Sequence, residues 1–266
     1  MKDAFDVEKK SSGLAEALGL GRKEHVALVG GGGKTTLMFA LAAELQRSGK
    51  RVISTTTTKV WEREATRAPR VVLAERDPGW RQRLRAALDE AGHVFLGRDI
   101  LDTGKVEGIG PTLADELNDW EIDCLIVEAD GAAGHPVKAP TGREPVIPAS
   151  ATKVVAVMGL DAIGRNLGPD VAFRLERVQE LTGLKPGERL TPAALSRLFL
   201  LSRGLFKGTG KRAERVAFLN RLDQASDANG GKELARILLA DTQDTVNRVV
   251  IGSLKKGTYF VEEKRP

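Results

Sequence analysis

The chain has 266 residues, 41% of them hydrophobic, enough for one large α/β domain or one domain with a small appendage. Its 41 basic and 36 acidic residues leave a net charge of +5, and the basic residues are scattered with only 5% aromatics among them. That is a mixed solvated surface compatible with phosphate ligands, and it argues against a nucleic-acid stripe. The single cysteine, Cys124, excludes an intramolecular disulfide, and three dispersed histidines (His25, His93, His135) make no zinc-spaced cluster. No apolar leader and no long apolar run occur, so no membrane partner and a cytoplasmic location are expected.

Residues 1–24 read as an N-terminal segment with a short helix near 12–18, ended by Gly19 and Gly21. Residues 25–266 read as one nucleotide-binding domain. A compact apolar run at 25–29 is too short for a helix and predicts a buried strand. Four glycines follow, and then residues 34–47 carry Leu37, Ala40, Leu41 and Leu45 at helical spacing, closed by Ser48-Gly49. Strands are expected at 51–55, 71–74 and 93–96, with a helix from Pro78 to about residue 91 between the last two. Residues 99–110 predict a hairpin or loop, 112–120 a helix, 123–127 a buried strand and 153–158 another. Helices follow at 170–181 and 192–201, then a strand at 215–219, a helix including 232–240 and a last strand at 248–251. Short apolar strands alternating with helices predict a mostly parallel sheet covered on both faces, with ligands at the carboxyl ends of the strands.

The polar motifs fall directly after strands. Gly30, Gly31, Gly32 and Gly33 precede Lys34-Thr35-Thr36 between a strand and a helix. Such a loop curls its N–H groups around phosphate oxygens at the positive end of the helix. Lys34 is then expected on the β- and γ-phosphates, the Thr35 hydroxyl on Mg²⁺ and Thr36 on the α-phosphate. The first glycine of the longer G-x-x-x-x-G-K-[ST] pattern would fall on Leu28, so the loop is nearer the G-x-x-G-K-T-T of Mur ligases.

The strand at 123–127 runs into Glu128-Ala129-Asp130, two carboxylates on one face, either of which could hold the metal. After the second strand, Thr57, Thr58 and Lys59 are candidate contacts for Mg²⁺ or the γ-phosphate. The strand at 215–219 leads into Asn220-Arg221-Leu222-Asp223, similar to the N-K-x-D element of GTPases. A carboxylate at Asp223 would accept two hydrogen bonds from guanine that adenine cannot offer, and Asn220 would brace the loop. GTP or ATP is the expected nucleotide, with Mg²⁺ as cofactor.

With these motifs placed, the chain resembles the YqeC family, accessory proteins of selenium cofactor biosynthesis and selenium-dependent hydroxylases. The stretches VGGGGKTTLMFALA (29–42), VISTTTTKV (52–60), LIVEADGAAGHPVKAP (125–140), EPVIPASATKVVAVMGLDAIG (144–164) and FLNRLD (218–223) carry the resemblance. It implies a P-loop NTPase-like protein serving selenium-dependent molybdenum hydroxylases, with a maturation partner of that class. It also draws attention to His135, Lys138, Arg143 and Glu144, which could hold an anionic second substrate, and to Asp161 beyond the strand at 153–158. Three functions stand side by side: a GTP-preferring NTPase, an ATP- or GTP-dependent transferase or ligase, and a nucleotide-gated cofactor-delivery module without productive hydrolysis. Lys34, Glu128, Asp130 and Lys59 are the expected catalytic groups for the first two.

Overall fold

The computed structural model describes residues 9–263. In chain order the first elements are β1 (Lys9–Lys10), α1 (Leu14–Ala17), β2 (Glu24–Gly30), α2 (Lys34–Arg47), β3 (Val52–Thr56), β4 (Lys59–Trp61), α3 (Glu62–Ala65) and β5 (Arg70–Leu73). Next come α4 (Trp80–Ala91), β6 (His93–Gly97), β7 (Asp99–Ile100), β8 (Lys105–Glu107), α5 (Pro111–Asn118), β9 (Cys124–Glu128), β10 (Val137–Lys138) and β11 (Lys153–Gly159). The last are β12 (Ala172–Phe173), α6 (Leu175–Thr182), α7 (Pro192–Leu200), β13 (Glu214–Asn220), α8 (Ala228–Leu239), β14 (Arg248–Ser253) and β15 (Thr258–Glu263).

The main sheet runs β1-β15-β14-β13-β11-β2-β9-β3-β6-β5, and every pairing from β14 to β5 is parallel. Side chains alternate across it. Ala27 and Val29 of β2 share a core with β11, α6, α7 and α8, while Val26 and Leu28 turn to the other face, beneath α1 and α2. Leu125 and Val127 of β9 lie against α4 and α5. The strands are apolar at consecutive positions because both faces are covered, and each fully buried Val or Leu contributes about 1.5–3 kcal/mol. The architecture is the expected P-loop NTPase-like α/β fold, with the polar motifs gathered at the carboxyl ends of β2, β3, β9, β11 and β13.

Four local departures from the sequence reading have identifiable causes. The sheet continues past β14, because Gly257 turns the chain at φ 62° and β15 returns antiparallel to pair with β14 and β1. The helix expected from Asp170 begins only at Leu175, since Ala172-Phe173 pairs with Val137-Lys138 and Arg174 adopts a left-handed φ of 62°. Helix α4 starts at Trp80, two residues beyond Pro78, after Asp77 accepts the Gly79 N–H at 2.9 Å. Residues 99–107 form a hairpin, one of the two forms expected there, and the departure is that Lys59–Trp61 joins it as β4 to make a separate three-stranded sheet.

Residues 9–24 share the core of the domain. Leu14, Ala17 and Leu18 are buried with β2 and α2. The four-residue α1 has no side-chain cap of its own, and the Glu44 carboxylate of α2 accepts the Leu14 and Ala15 N–H groups, both at 2.8 Å. Two charge-assisted hydrogen bonds at a helix start stabilise by roughly 1–3 kcal/mol. Glu44→Ala is therefore expected to lower the unfolding free energy in urea by roughly 1–3 kcal/mol and to speed amide exchange in residues 14–18. A change within about 0.5 kcal/mol, the range of an inert surface substitution, would refute the capping role.

Candidate functional site

The loop after β2 is shaped by close packing. Gly30 has φ 93° and Gly32 φ 77°, and a Cβ would lie 2.4 Å from the Val157 carbonyl oxygen at the first and 2.3 Å from the Gly159 nitrogen at the second. Only glycine fits at either position. Three of the glycine N–H groups expected to ring a phosphate are used within the protein. Gly30 donates to Asp130 Oδ2 at 3.0 Å, Gly31 to the Val157 carbonyl at 2.9 Å and Gly32 to the His135 carbonyl at 2.8 Å. The N–H groups of Gly33, Lys34, Thr35 and Thr36 have no acceptor among the described residues, and Leu37 makes the first intrahelical bond, to Gly33. The available donors thus sit at the mouth of α2, where the helix dipole also favours an anion.

Beneath the loop lies a buried chain of alternating charge. Lys34 donates to the Gly30 carbonyl at 2.7 Å and lies 3.1 Å from Asp130 and 3.5 Å from Glu128. Asp130 is in turn 2.9 Å from Lys138, and Lys138 is 2.7 Å from Glu144. Arg174 closes the series with a forked contact to both Glu144 oxygens. Lys34, Asp130 and Lys138 are each no more than 3% exposed. Burial works against the Lys34 ammonium, but Asp130 and Glu128 together outweigh it and raise its pKa. Burial likewise opposes ionisation of Glu144, yet the hydrogen bonds from Arg174 and Lys138 hold that carboxyl at about 2. Glu128 differs: burial raises its pKa, and Lys34 and the Thr35 hydroxyl only partly offset this. Thr35 Oγ1 donates to Glu128 Oε2 at 2.7 Å.

Over these groups opens a cavity of about 960 Å³. Gly32, Gly33, Lys34, Thr35 and Thr36 form its floor, and Glu128 and Glu144 reach it from below. Thr57, Thr58 and Lys59 line the side beyond β3; Lys59 is exposed, Thr57 donates to the Val146 carbonyl at 3.1 Å, and Thr58 shares a hydrogen bond with Thr56.

The remaining expected residues stand outside the cavity wall. Gly30, Gly31 and Asp130 lie behind it, and Asp130 faces two lysines and an amide instead of the open space. Lys138 is committed to Asp130, Glu144 and the Gly131 carbonyl, so it supports the site from within. His135 sets its ring nitrogens against the Ala132 and Pro169 carbonyls and packs on Phe173, while Arg143 is exposed at the surface. Asp161 pairs with Arg221 at 3.1 Å. The cluster His135, Lys138, Arg143 and Glu144 is therefore not brought together as one anion pocket.

Beyond β13, Asn220 joins two elements: its Nδ2 donates to the Gly32 carbonyl at 2.7 Å and its Oδ1 accepts from the Leu254 N–H at 3.1 Å. Arg221, left-handed at φ 63°, reaches back to the cavity wall and to the Gly134 carbonyl. Asp223 is exposed; a 2.6 Å hydrogen bond from Ser253 Oγ is the main cause lowering its pKa.

Two groups of residues escaped the sequence reading. Arg174 was hidden inside an expected helix. Trp61, Arg63 and Lys105 line the cavity from the small sheet and α3, and the alternation Lys59-Val60-Trp61 after the threonines was the available signal. Among the described residues no group of three or more His, Cys, Asp or Glu could hold a metal ion, and no helix is long and apolar enough to cross a membrane.

Comparison with known proteins agrees with the motif reading. The YqeC protein family matches residues 26–176. The protein YqeC of Escherichia coli (strain K12) is 34% identical over 238 residues, which are 88% of this chain and 89% of that protein. A probable transcriptional regulatory protein of Pseudomonas fluorescens (strain Pf0-1) is 34% identical over 140 residues, 51% of this chain and 52% of that protein. Among solved structures, the signal recognition particle 54 kDa protein of Aeropyrum pernix K1 in complex with GDP superposes with a TM-score of 0.43 at 18% identity, covering 93% of this chain and 46% of that one. The family match and the near full-length relative agree with each other, and the chain belongs to the YqeC family.

Proposed function

We propose that the protein binds a Mg²⁺–nucleoside triphosphate, GTP in preference to ATP, and hydrolyses it in support of maturing a selenium-dependent molybdenum hydroxylase. The observation that carries the nucleotide reading is the convergence of four backbone N–H groups, Gly33 to Thr36, with the Lys34 ammonium on one cavity floor. Such an array neutralises phosphate charge without reorganising. The maturation role rests on the family resemblance alone.

Thr35 and Glu128 offer hard oxygens 2.7 Å apart, and Glu128 is a buried carboxyl short of compensating charge. That donor set fits Mg²⁺, which is ordinarily held by one or two protein oxygens together with phosphate oxygens and water. Bound there, the ion would supply Lewis-acid neutralisation of the β- and γ-phosphates. Lys34 shifts from Asp130 and Glu128 toward phosphate oxygens. Asp130, held by Lys138 and the Gly30 N–H, keeps the loop in register while Lys34 moves and acts as a positioning residue. Lys59, on the β3 side, is within the same cavity to meet charge developing on the γ-phosphate. Asp223, with Ser253 donating to one oxygen, keeps lone pairs on both oxygens for guanine N1–H and the 2-amino group.

A second reading, transfer or ligation to an anionic acceptor, is favoured by the breadth of the cavity beyond Lys59. Product analysis separates the two: inorganic phosphate alone supports hydrolysis, and a modified acceptor supports transfer.

Calorimetry with Mg²⁺ and GTP or ATP tests the binding assignments. Thr35→Ala should cost about tenfold or more in Mg²⁺-dependent affinity, since it removes one hydroxyl at the charged site and leaves the loop backbone in place. Lys34→Ala should abolish measurable triphosphate binding. It should also lower stability by about 3–5 kcal/mol, because Asp130 and Glu128 lose a buried counter-charge. Circular dichroism at low temperature establishes that the variant is folded, and unchanged affinity in either variant rules out the phosphate assignment. Asp223→Ala should erase a GTP-over-ATP preference of about 10²-fold, the scale set by two hydrogen bonds to a carboxylate. Equal affinities in the wild type would remove the guanine assignment and leave the phosphate site standing.

A further inference from the structure

The cavity has a second wall of which the nucleotide reading uses only Lys59. In the three-stranded sheet, β4 and β8 pair with Trp61 opposite Lys105 and Val60 opposite Val106. The two valines are buried in the core, so the period-two alternation turns Lys59, Trp61 and Lys105 outward to the cavity. Trp61 is 43% exposed, one of only two large hydrophobic side chains so exposed among the described residues. Lys105 Nζ lies 4.7 Å and the Arg63 guanidinium 5.6 Å from the centre of its ring. Lys59, Arg63 and Lys105 have no carboxylate partner among the described residues, although most arginines on this surface are ion-paired. Glu64 and Glu107 line the same cavity without coming within ion-pair distance of these cations, so three cations around an exposed indole, inside a concave site, are placed to receive an anion.

The sheet order separates this wall from the nucleotide. Asn220 and Asp223 follow β13, Trp61 follows β3, and each of those strands is two positions from β2, on opposite sides. At the usual strand spacing β3 and β13 are each about 10 Å from β2, with Asn220 reaching back to Gly32 on the β13 side. A triphosphate on the loop with its base toward β13 leaves the β3 side open.

We infer that the Trp61 wall binds a second small molecule, an anionic planar aromatic or heteroaromatic compound, beside the terminal phosphate. The ring stacks on Trp61 and the acidic group is received by Lys105 and Arg63, exchanging weak exposed cation–π contacts for charge-assisted hydrogen bonds. Lys59 lies between this ligand and the phosphate loop. The inference rests on the phosphate-loop reading only for where the nucleotide sits.

The test uses the full chain with Mg²⁺ and a non-hydrolysable GTP analogue, titrated with 1-naphthyl phosphate and followed by calorimetry and tryptophan fluorescence. 1-Naphthol and inorganic phosphate, each lacking one half of the recognised chemistry, should bind about tenfold more weakly or worse. Trp61→Ala and Lys105→Gln should each weaken 1-naphthyl phosphate about tenfold or more, by loss of stacking or of a charged hydrogen bond. Trp61→Ala should also leave the analogue's affinity within about twofold, as expected for a residue outside the nucleotide's contacts. Competition between the probe and the analogue, or an equal loss of analogue affinity in Trp61→Ala, would assign the wall to the nucleotide and overturn the inference. Probe binding unaffected by both substitutions would overturn it as well. If the analogue does not bind the wild type, the phosphate-loop reading fails, and the same titration on the chain alone still decides whether the wall takes the probe.

Discussion

The site depends on one buried ammonium. Lys34 stands between Asp130 and Glu128 with almost no exposure, and the two carboxylates together keep its ammonium charged against the cost of burial. Removing such charges from water costs several kcal/mol per ion, so the arrangement persists only because each member has neighbours of opposite sign. Lys138, Glu144 and Arg174 extend the alternation out to solvent. Asp130 faces two lysines and an amide, whereas Glu128 is under-compensated. Two carboxylates two residues apart are thereby given different work, one to hold the loop and one to face the cavity.

The loop itself is a consequence of packing. Gly30 and Gly32 press against the backbone of β11 at distances that no side chain tolerates, and the N–H groups of Gly30, Gly31 and Gly32 are taken by Asp130, Val157 and His135. This leaves the unpaired donors one step along, at Gly33 and the first turn of α2. A loop shorter than the G-x-x-x-x-G-K-[ST] form can still present four amides because the helix, and not the glycine bend, supplies them.

Much of this was legible in the sequence because the strands are short, apolar and followed at once by chemistry. The helix at Lys34–Arg47 matches its expected bounds, and β9 ends at Glu128 with Asp130 two residues beyond, both within reach of Lys34. The hidden parts were those fixed by long-range pairing. Nothing local says that Ala172-Phe173 joins Val137-Lys138, yet that pairing shortens α6 and aims Arg174 at Glu144. Lys138 and Arg143 look alike in sequence, and only the fold buries the first and exposes the second. Trp61 was passed over because its meaning comes from Lys105, forty-four positions away and opposite it across two strands.

Asn220 ties the glycine loop to the turn before β15. One side of its amide holds Gly32 and the other holds Leu254, in the turn between β14 and β15. The antiparallel margin formed by β15 and β1 is therefore a brace behind the loop as well as a sheet edge. Clipping that margin away would slacken the bend at Gly32 from a distance, and tightening of the bend around an anion would in turn firm the far edge. Lys9–Lys10 and Thr258–Glu263, paired there, share in whatever the loop grips.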